Sequence, residues 1–166
     1  MTIVTTDIAR PFAGLRPAPD RANEIAAPPY DVVTADEARA LARHKPYSFL
    51  HVSRAEIDLP PDTNPYSEPV YVQARRNLKI LEEQGVLICD ASPAFYVYRM
   101  TKKDKVQTGV AFSASINAYL DNRIRKHELT RPWKENDRVR QIESVDAQTG
   151  PVLTIYRADR ELAEEL

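Results

Sequence analysis

The stretch KHELTRPWKENDR, residues 126–138, concentrates polar and charged side chains that could hold an anion. Pro132 suits the first turn of a helix, so free backbone N–H groups and the positive end of the helix dipole are expected beside Arg131. Lys134 and Arg138 are four residues apart and share a helical face, where they could add charge-assisted hydrogen bonds to phosphate. The alternative is a solvated helix whose carboxylates pair with neighbouring cations.

The charge distribution favours a local anion site over a large basic surface. From residue 123 to residue 140 there are seven Lys or Arg and three Asp or Glu, so the local net charge is +4, while the whole chain carries −1. A balanced chain gives no global electrostatic reason to bind nucleic acid or an anionic membrane. We therefore expect a small-molecule anion as partner, and neither nucleic acid nor a membrane.

Two further segments carry side chains suited to chemistry. Asp31 follows Pro-Pro-Tyr in AAPPYDVV, and a carboxylate on such a rigid backbone could act as a base or a metal ligand; alternatively, it simply ends a turn. His51, in SFLHVSRAEID, could titrate near neutral pH, although a single histidine is more often satisfied by packing and a backbone carbonyl.

Several classes of site are excluded by composition. The four glycines are too widely spaced for a Walker-type phosphate loop or a Rossmann fingerprint. One cysteine and three scattered histidines give no zinc motif, so no metal site built by the protein is predicted. Cys89, in an apolar run, is predicted to be a buried structural thiol. A single cysteine, the absence of a signal peptide and the lack of a membrane-spanning apolar run predict a cytoplasmic protein.

The periodicity of apolar residues predicts an α+β fold. The expected helices follow a capping box at 34–37 and end before Pro46, cover 70–84 with Gly85 as a stop, run from Pro132 to about Ser144, and occupy the tail 159–166. The expected strands are SFLHVSR, VLICD and GPVLTIYRA, together with a hairpin of AFYVYRM and VQTGVAFSASI around TKKDK. The hairpin favours a mixed, partly antiparallel sheet with flanking helices over a doubly wound parallel sheet. At 166 residues the chain is expected to form a single domain.

Read in order, the segments FAGLRP, AAPPYDVV, SFLHVSRAEIDLP, QTG, KHELTR…KENDR and GPVLTIY resemble the bacterial and archaeal family named domain of unknown function 1015. The resemblance runs from about Phe12 to Tyr156. Members of that family are typically more than twice this length, so the resemblance implies that the chain is the N-terminal portion of a longer protein.

The resemblance also implies a fold and an activity. It implies a relation to free-serine kinases of ParB/sulfiredoxin-like fold, which phosphorylate the hydroxyl of L-serine with ADP, ATP or pyrophosphate as donor. The segment ENDR, residues 135–138, resembles the E-N-x-x-R box of ParB-type domains. The short box that precedes it in those domains has a glycine beside Arg or His, and its candidate counterpart here, KHELTR, contains no glycine.

Under this hypothesis each candidate residue has a role. Asp31 or Glu128 accepts the hydroxyl proton or contacts Mg²⁺, and His127 acts at the catalytic centre by helping to hold the phosphate. The phosphate is held by Thr130, Arg131, Lys134 and Arg138, and the acceptor pocket is lined by His51 and Arg54. The rival hypothesis is a non-catalytic nucleotide-binding or protein-interaction module in which the same residues hold a ligand.

Overall fold

The computed structural model describes residues 8–127 and 129–155. The described strands are β1 (Ala9–Arg10), β2 (Leu15–Pro17), β3 (Leu87–Cys89), β4 (Tyr96–Lys102), β5 (Lys105–Ala111) and β6 (Ser113–Ala114). The described helices are α1 (Ala22–Ile25), α2 (Ala35–Ala42), α3 (Leu50–Ser53), α4 (Glu68–Glu83), α5 (Ile116–Leu120) and α6 (Pro132–Val145), and a 3-10 turn spans Ala55–Asp58. Within these ranges no helix combines the length and the apolar character needed to cross a membrane.

The α+β class is confirmed, but the strands do not join into one mixed sheet. Over the described ranges they form three two-stranded ladders, β1 with β6, β2 with β3 and β4 with β5, and every pairing is antiparallel. Four of the six strands have only two or three residues, and β2 ends in a proline, which cannot donate a ladder hydrogen bond. Such strands pair once and do not extend a sheet.

The chain divides into two compact units, and the first comprises Met1–Gly14, Asp90–Leu129 and Gly150–Leu166. Its central element is the predicted hairpin, which is confirmed. Lys102 pairs with Lys105, so the loop has two residues, and Lys103 takes a positive φ of 57° as a tight hairpin turn requires. The Tyr96 hydroxyl accepts from the Gly14 N–H at 2.7 Å, which ties the hairpin to the N-terminal segment of this unit.

The second unit comprises Leu15–Cys89 and Thr130–Thr149. Its core is built on α4, whose apolar residues recur at helical spacing and are buried: Val70, Ala74, Leu78 and Leu81. Gly85 follows the helix with a φ of +64°, a conformation that glycine adopts without strain, so its predicted role as the stop is confirmed. The chain then enters β3 through the fully buried Val86.

Helix α2 begins with the predicted capping box. The Thr34 hydroxyl accepts from the Glu37 N–H at 3.3 Å, and the Glu37 carboxylate accepts from the Thr34 N–H at 2.8 Å. The two bonds satisfy N–H groups that a helix start would otherwise leave open. The helix buries Ala38 and Ala42 against Leu50 in a small second cluster.

The strand predicted for SFLHVSR is wrong, because this segment forms α3. Leu50 and Val52 are both buried, as the alternating pattern indicates, but they enter different clusters: Leu50 joins that of α2 and Val52 joins the α4 core. Residues i and i+2 of a helix point about 200° apart, so Leu50 and Val52 face opposite sides. A short helix between two apolar clusters therefore has the same alternating burial pattern as a strand.

Two other expectations are corrected. Cys89 is exposed, because β3 is paired on one edge and has a single buried residue, Leu87. The strand predicted at 150–158 is not formed at 151–155, and its remainder lies outside the described residues, as does the predicted tail helix at 159–166.

Candidate anion-binding site

Helix α6 begins as the sequence predicts. Arg131 is the N-cap residue with an extended backbone, and its carbonyl accepts from the N–H groups of Lys134 at 2.9 Å and Glu135 at 3.1 Å. Pro132 occupies the first helical position, where its missing N–H costs nothing. Among the described residues the Trp133 N–H has no acceptor, and the side chains of Arg131 and Lys134 are exposed beside it. This helix start therefore presents an N–H group and two cations to solvent.

The Thr130 hydroxyl is committed to the helix in this structure. It donates to the Glu135 carboxylate at 2.9 Å, which closes the first turn from outside. Lys134 places its ammonium 5.6 Å from the centroid of the Trp133 ring, a distance at which the attraction between cation and ring is weak. Lys134 is thus free to contact an anion, whereas Thr130 would have to exchange its acceptor to do so.

Arg138 is paired within the protein. Its guanidinium donates two hydrogen bonds to Oδ2 of Asp137, at 2.6 and 3.1 Å, and lies 4.1 Å from the centroid of the Tyr30 ring. The other Asp137 oxygen accepts from the Tyr71 hydroxyl at 2.7 Å. Burial, followed by this hydrogen bond to a carboxylate, raises the pKa of Tyr71 to about 12, so the phenol keeps its proton at neutral pH. Asp137 is therefore held from both sides.

Tyr30 joins three of the segments singled out in the sequence. Its ring contacts Arg138 of α6, and its carbonyl accepts from Nη1 of Arg54 at 3.1 Å. Arg54 also pairs with the buried Glu56, whose Oε1 lies 2.8 Å from Nε, although that N–H is not aligned for a hydrogen bond. Asp31 follows Tyr30 directly and is exposed. The fold therefore brings Asp31, Arg54 and Arg138 to the same small region of the second unit.

His51 lies in a separate hydrogen-bond network. Its Nδ1 is 2.8 Å from Oδ1 of Asp58 and its Nε2 is 3.2 Å from the Lys45 carbonyl oxygen. Both partners can only accept, so the doubly protonated imidazolium satisfies both bonds, and the hydrogen bond to Asp58 raises the pKa of His51. Asn77 donates to the other Asp58 oxygen at 2.7 Å and to the His51 carbonyl at 2.6 Å. Both ring nitrogens of His51 are thus engaged by the protein itself.

Two of the catalytic candidates belong to the first unit. His127 is exposed and follows Lys126, whose ammonium lies 4.9 Å from the centroid of the Tyr119 ring. Glu128 lies outside the described residues. Their roles therefore stay predictions.

Comparison with models of protein families gives a match for this chain. A family model described as protein of unknown function, DUF1015, matches residues 9–166. The chain belongs to this family. The resemblance seen in the ordered segments is confirmed, and the match covers both units of the DUF1015 chain. Comparisons with curated proteins and with solved structures give no match.

The DUF1015 chain shows no metal centre of its own in the part that the structure describes, since no three His, Cys, Asp or Glu side chains there are grouped to hold an ion. Mg²⁺ in phosphoryl-transfer sites is commonly bound by one or two carboxylates and by the substrate phosphates. The exposed Asp31 fits that use, whereas Asp137 does not, because Arg138 and Tyr71 occupy its oxygens.

Sequence reasoning missed the aromatic residues that organise this region. Tyr30 lies within AAPPYDVV, yet only its neighbour Asp31 carries an obvious chemical function. Tyr71 lies on the buried face of α4 and has the spacing of a core residue, while the partner of its hydroxyl, Asp137, is 66 positions away in the chain. The usable signal was an aromatic residue next to a rigid proline pair in an arginine-rich chain, because arginine stacks on aromatic faces.

Proposed function

We propose that this DUF1015 chain is a cytoplasmic phosphate- or nucleotide-binding protein of ParB/sulfiredoxin-like fold that phosphorylates the hydroxyl of free L-serine with ADP, ATP or pyrophosphate. The observation that supports this most is the meeting of Arg54 and Arg138 at Tyr30, next to Asp31. Arg138 provides a cation for phosphate, Arg54 lies on the side proposed for serine, and Asp31, next in the chain to Tyr30, is a candidate acceptor for the hydroxyl proton.

The start of α6 supplies the rest of the phosphate-binding group. Arg131 and Lys134 are exposed there, and the helix dipole favours an anion near the Trp133 N–H. Arg131 offers two parallel donors to phosphate, and Lys134 adds a positive charge on a flexible stem. In this proposal Thr130 turns its hydroxyl from Glu135 to the ligand.

The chemistry required of the side chains is small. The serine Oγ attacks the terminal phosphorus of the donor, the bond from phosphorus to the leaving phosphate oxygen breaks, and the hydroxyl proton passes to Asp31 or Glu128. His127 donates a hydrogen bond to the transferred group, and His51 and Arg54 line the pocket for serine. Mg²⁺, when bound, neutralises charge on the donor phosphates.

The test is direct product detection. The chain and a full-length member of the family are each incubated with L-serine, Mg²⁺ and one donor at a time, and O-phosphoserine is measured by mass spectrometry. Arg131→Ala and Arg138→Ala are expected to lower the rate at least 10-fold, because each removes a charge-assisted contact worth about 1.5–3 kcal/mol. Arg76→Ala, on an exposed face of α4, is the matched control and keeps the full rate. Absence of phosphoserine from both proteins with all three donors refutes the kinase proposal.

A second candidate function is a non-catalytic nucleotide-binding or protein-interaction module. The internal pairing of Arg138 with Asp137 and of Arg54 with Glu56 favours it, because these cations already have partners without a ligand. In that case calorimetry detects binding of ADP, ATP or pyrophosphate, weakened by Arg131→Ala, while no product forms. Binding that survives both arginine substitutions undiminished contradicts the proposed anion site under either function.

A further inference from the structure

The second unit contains an open pocket of about 400 Å³ beside the start of α6. Three of its six lining residues are aromatic; the six are Tyr66, Tyr71, Trp133, Asn136, Asp137 and Arg140. The volume lies within the range of small-molecule sites, roughly 300–1,000 Å³, and a mainly apolar wall with a few polar groups is typical of them. None of the roles proposed above uses this pocket as a whole.

One face of α6 supplies four of the six lining residues. Trp133, Asn136, Asp137 and Arg140 are spaced at i, i+3, i+4 and i+7, so they lie along a single stripe of the helix. Lys134 and Arg138 are each one residue further along and therefore lie on the adjacent face. The helix thus separates a ring-lined face from the cationic face that is proposed to hold phosphate.

Two aromatic side chains of the pocket are exposed. Trp133 is 50% exposed and Tyr66 is 47% exposed, and their rings meet edge to face with centroids 5.9 Å apart. An edge-to-face pair leaves ring faces uncovered, and base stacking on such faces contributes about 1–3 kcal/mol per base. A flat, apolar ligand ring would cover the indole at small conformational cost.

The polar groups of the pocket differ in whether they are available. Arg140 is fixed as a wall: it donates to the Tyr66 carbonyl and to Glu68, each at 2.9 Å, and lies 4.3 Å from the centroid of the Tyr71 ring. Asp137 is held by Tyr71. The Asn136 amide has no partner among the described residues, and an amide offers one acceptor and two donors on one short side chain.

We propose that this pocket binds the purine base of a nucleotide, with Trp133 stacking on the base and the Asn136 amide paired to the N6 and N7 edge of adenine. That pairing is the preferred contact of asparagine with adenine, whereas pyrophosphate has neither a donor for the amide oxygen nor a ring to stack on Trp133. The inference rests on the proposed phosphate site and deepens it, because it names an adenine nucleotide as the phosphoryl donor. Trp133 is the second residue of α6, so a base stacked on it lies beside the helix start where the phosphates are expected.

Trp133 is the only tryptophan of the chain, so it reports on its own pocket. Adenosine and AMP are titrated while the tryptophan emission is recorded, and saturable quenching is expected from both. Ribose 5-phosphate and pyrophosphate are expected to leave the emission unchanged. Asn136→Ala and, separately, 7-deazaadenosine in place of adenosine are each expected to weaken binding about 10-fold, because each removes one side of the amide pairing.

Control variants keep the outcome interpretable. Tyr66→Leu is expected to weaken adenosine binding, whereas Tyr98→Leu, an equally exposed tyrosine on the hairpin, leaves it unchanged. Circular dichroism confirms that each variant is folded. Absence of saturable quenching by adenosine, or equal affinity for adenosine and 7-deazaadenosine, overturns the pocket. Pyrophosphate binding measured by calorimetry tests the phosphate site separately, since that site can fail while adenosine still binds, and the reverse also holds.

Discussion

His51→Ala is expected to destabilise the protein most strongly at acidic pH. In the folded protein the ring bridges Asp58 and the Lys45 carbonyl, and the hydrogen bond to Asp58 raises the pKa of His51 above its ordinary value of about 6.5. A group whose pKa is higher in the folded state contributes stability that is fully present below the unfolded-state pKa. That contribution is lost as the pH rises through the folded-state pKa.

The size of the effect follows from the contacts. A hydrogen bond between charged partners contributes about 1.5–3 kcal/mol and a neutral one about 0.5–1.5 kcal/mol. Three quarters or more of each side chain in the His51–Asp58 pair is shielded from water, so solvent screening removes only part of the larger value. We expect a loss of about 2 kcal/mol near pH 5.5, falling to about 1 kcal/mol near pH 9, where the neutral ring can serve only one acceptor.

The assay is urea unfolding followed by circular dichroism at several pH values. A loss of about 2 kcal/mol corresponds to a fall of about 4–8 °C in Tm for a chain of this size. His44→Asn is the control, because His44 is exposed, has a positive φ that asparagine tolerates, and its side chain forms no hydrogen bond or ion pair within the described residues. A destabilisation that is constant with pH, or that grows as the pH rises, would refute the assignment of His51 as a cation held by Asp58.

Three further substitutions test the packing of the second unit by urea unfolding. Tyr71→Phe leaves one oxygen of Asp137 without its donor and is expected to cost about 1.5–3 kcal/mol; a loss below 0.5 kcal/mol, roughly the effect of an exposed hydroxyl, would contradict the bond. Gly85→Ala meets no neighbouring atoms but forces a side chain into a positive φ, so a cost of about 1–2 kcal/mol is expected, and Gly150→Ala serves as the comparison without that strain. Thr34→Ala removes the helix cap and is expected to cost about 1 kcal/mol, a value that an unchanged unfolding midpoint would exclude.

The elements best predicted from the sequence are those with long periodic patterns or explicit boundary residues. The helix over α4 has four buried apolar residues in register and a glycine stop, and α6 has its proline start. Both patterns depend only on residues that are close together in the sequence. The strand predicted for SFLHVSR is wrong because the pattern of five to seven residues does not distinguish a strand from one helical turn between two apolar clusters. Only the positions of α2 and α4 decide that case.

In the candidate site, too, the residues placed by local sequence could be predicted and those placed by distant contacts could not. Arg131 and Lys134 are placed by the start of one helix, so their exposure together could be anticipated. The partners of Arg138 could not: Tyr30 is more than a hundred positions away, and Asp137, its immediate neighbour, turns to the same guanidinium only because Tyr71 fixes the carboxylate. Whether a charged side chain is buried depends on contacts between residues that are far apart in the sequence. Local residue spacing does not predict such contacts.

The pairing of Arg138 with Asp137 has a consequence for selectivity. In the proposed phosphate site, Arg138 already donates two hydrogen bonds to a carboxylate, so an anion that takes over these two donors exchanges with Asp137. A ligand must bind Arg138 more strongly than the Asp137 carboxylate does in order to displace it. The hydrogen bond from Tyr71 holds Asp137 close by, so the carboxylate pairs with Arg138 again when the ligand leaves. Chloride and acetate carry one negative charge, as Asp137 does, so they bind Arg138 no more strongly than Asp137. A phosphate group binds more strongly, because at neutral pH it carries nearly two negative charges and has three acceptor oxygens. Under the proposed function, Asp137 therefore competes with the ligand for Arg138 and favours anions of higher charge.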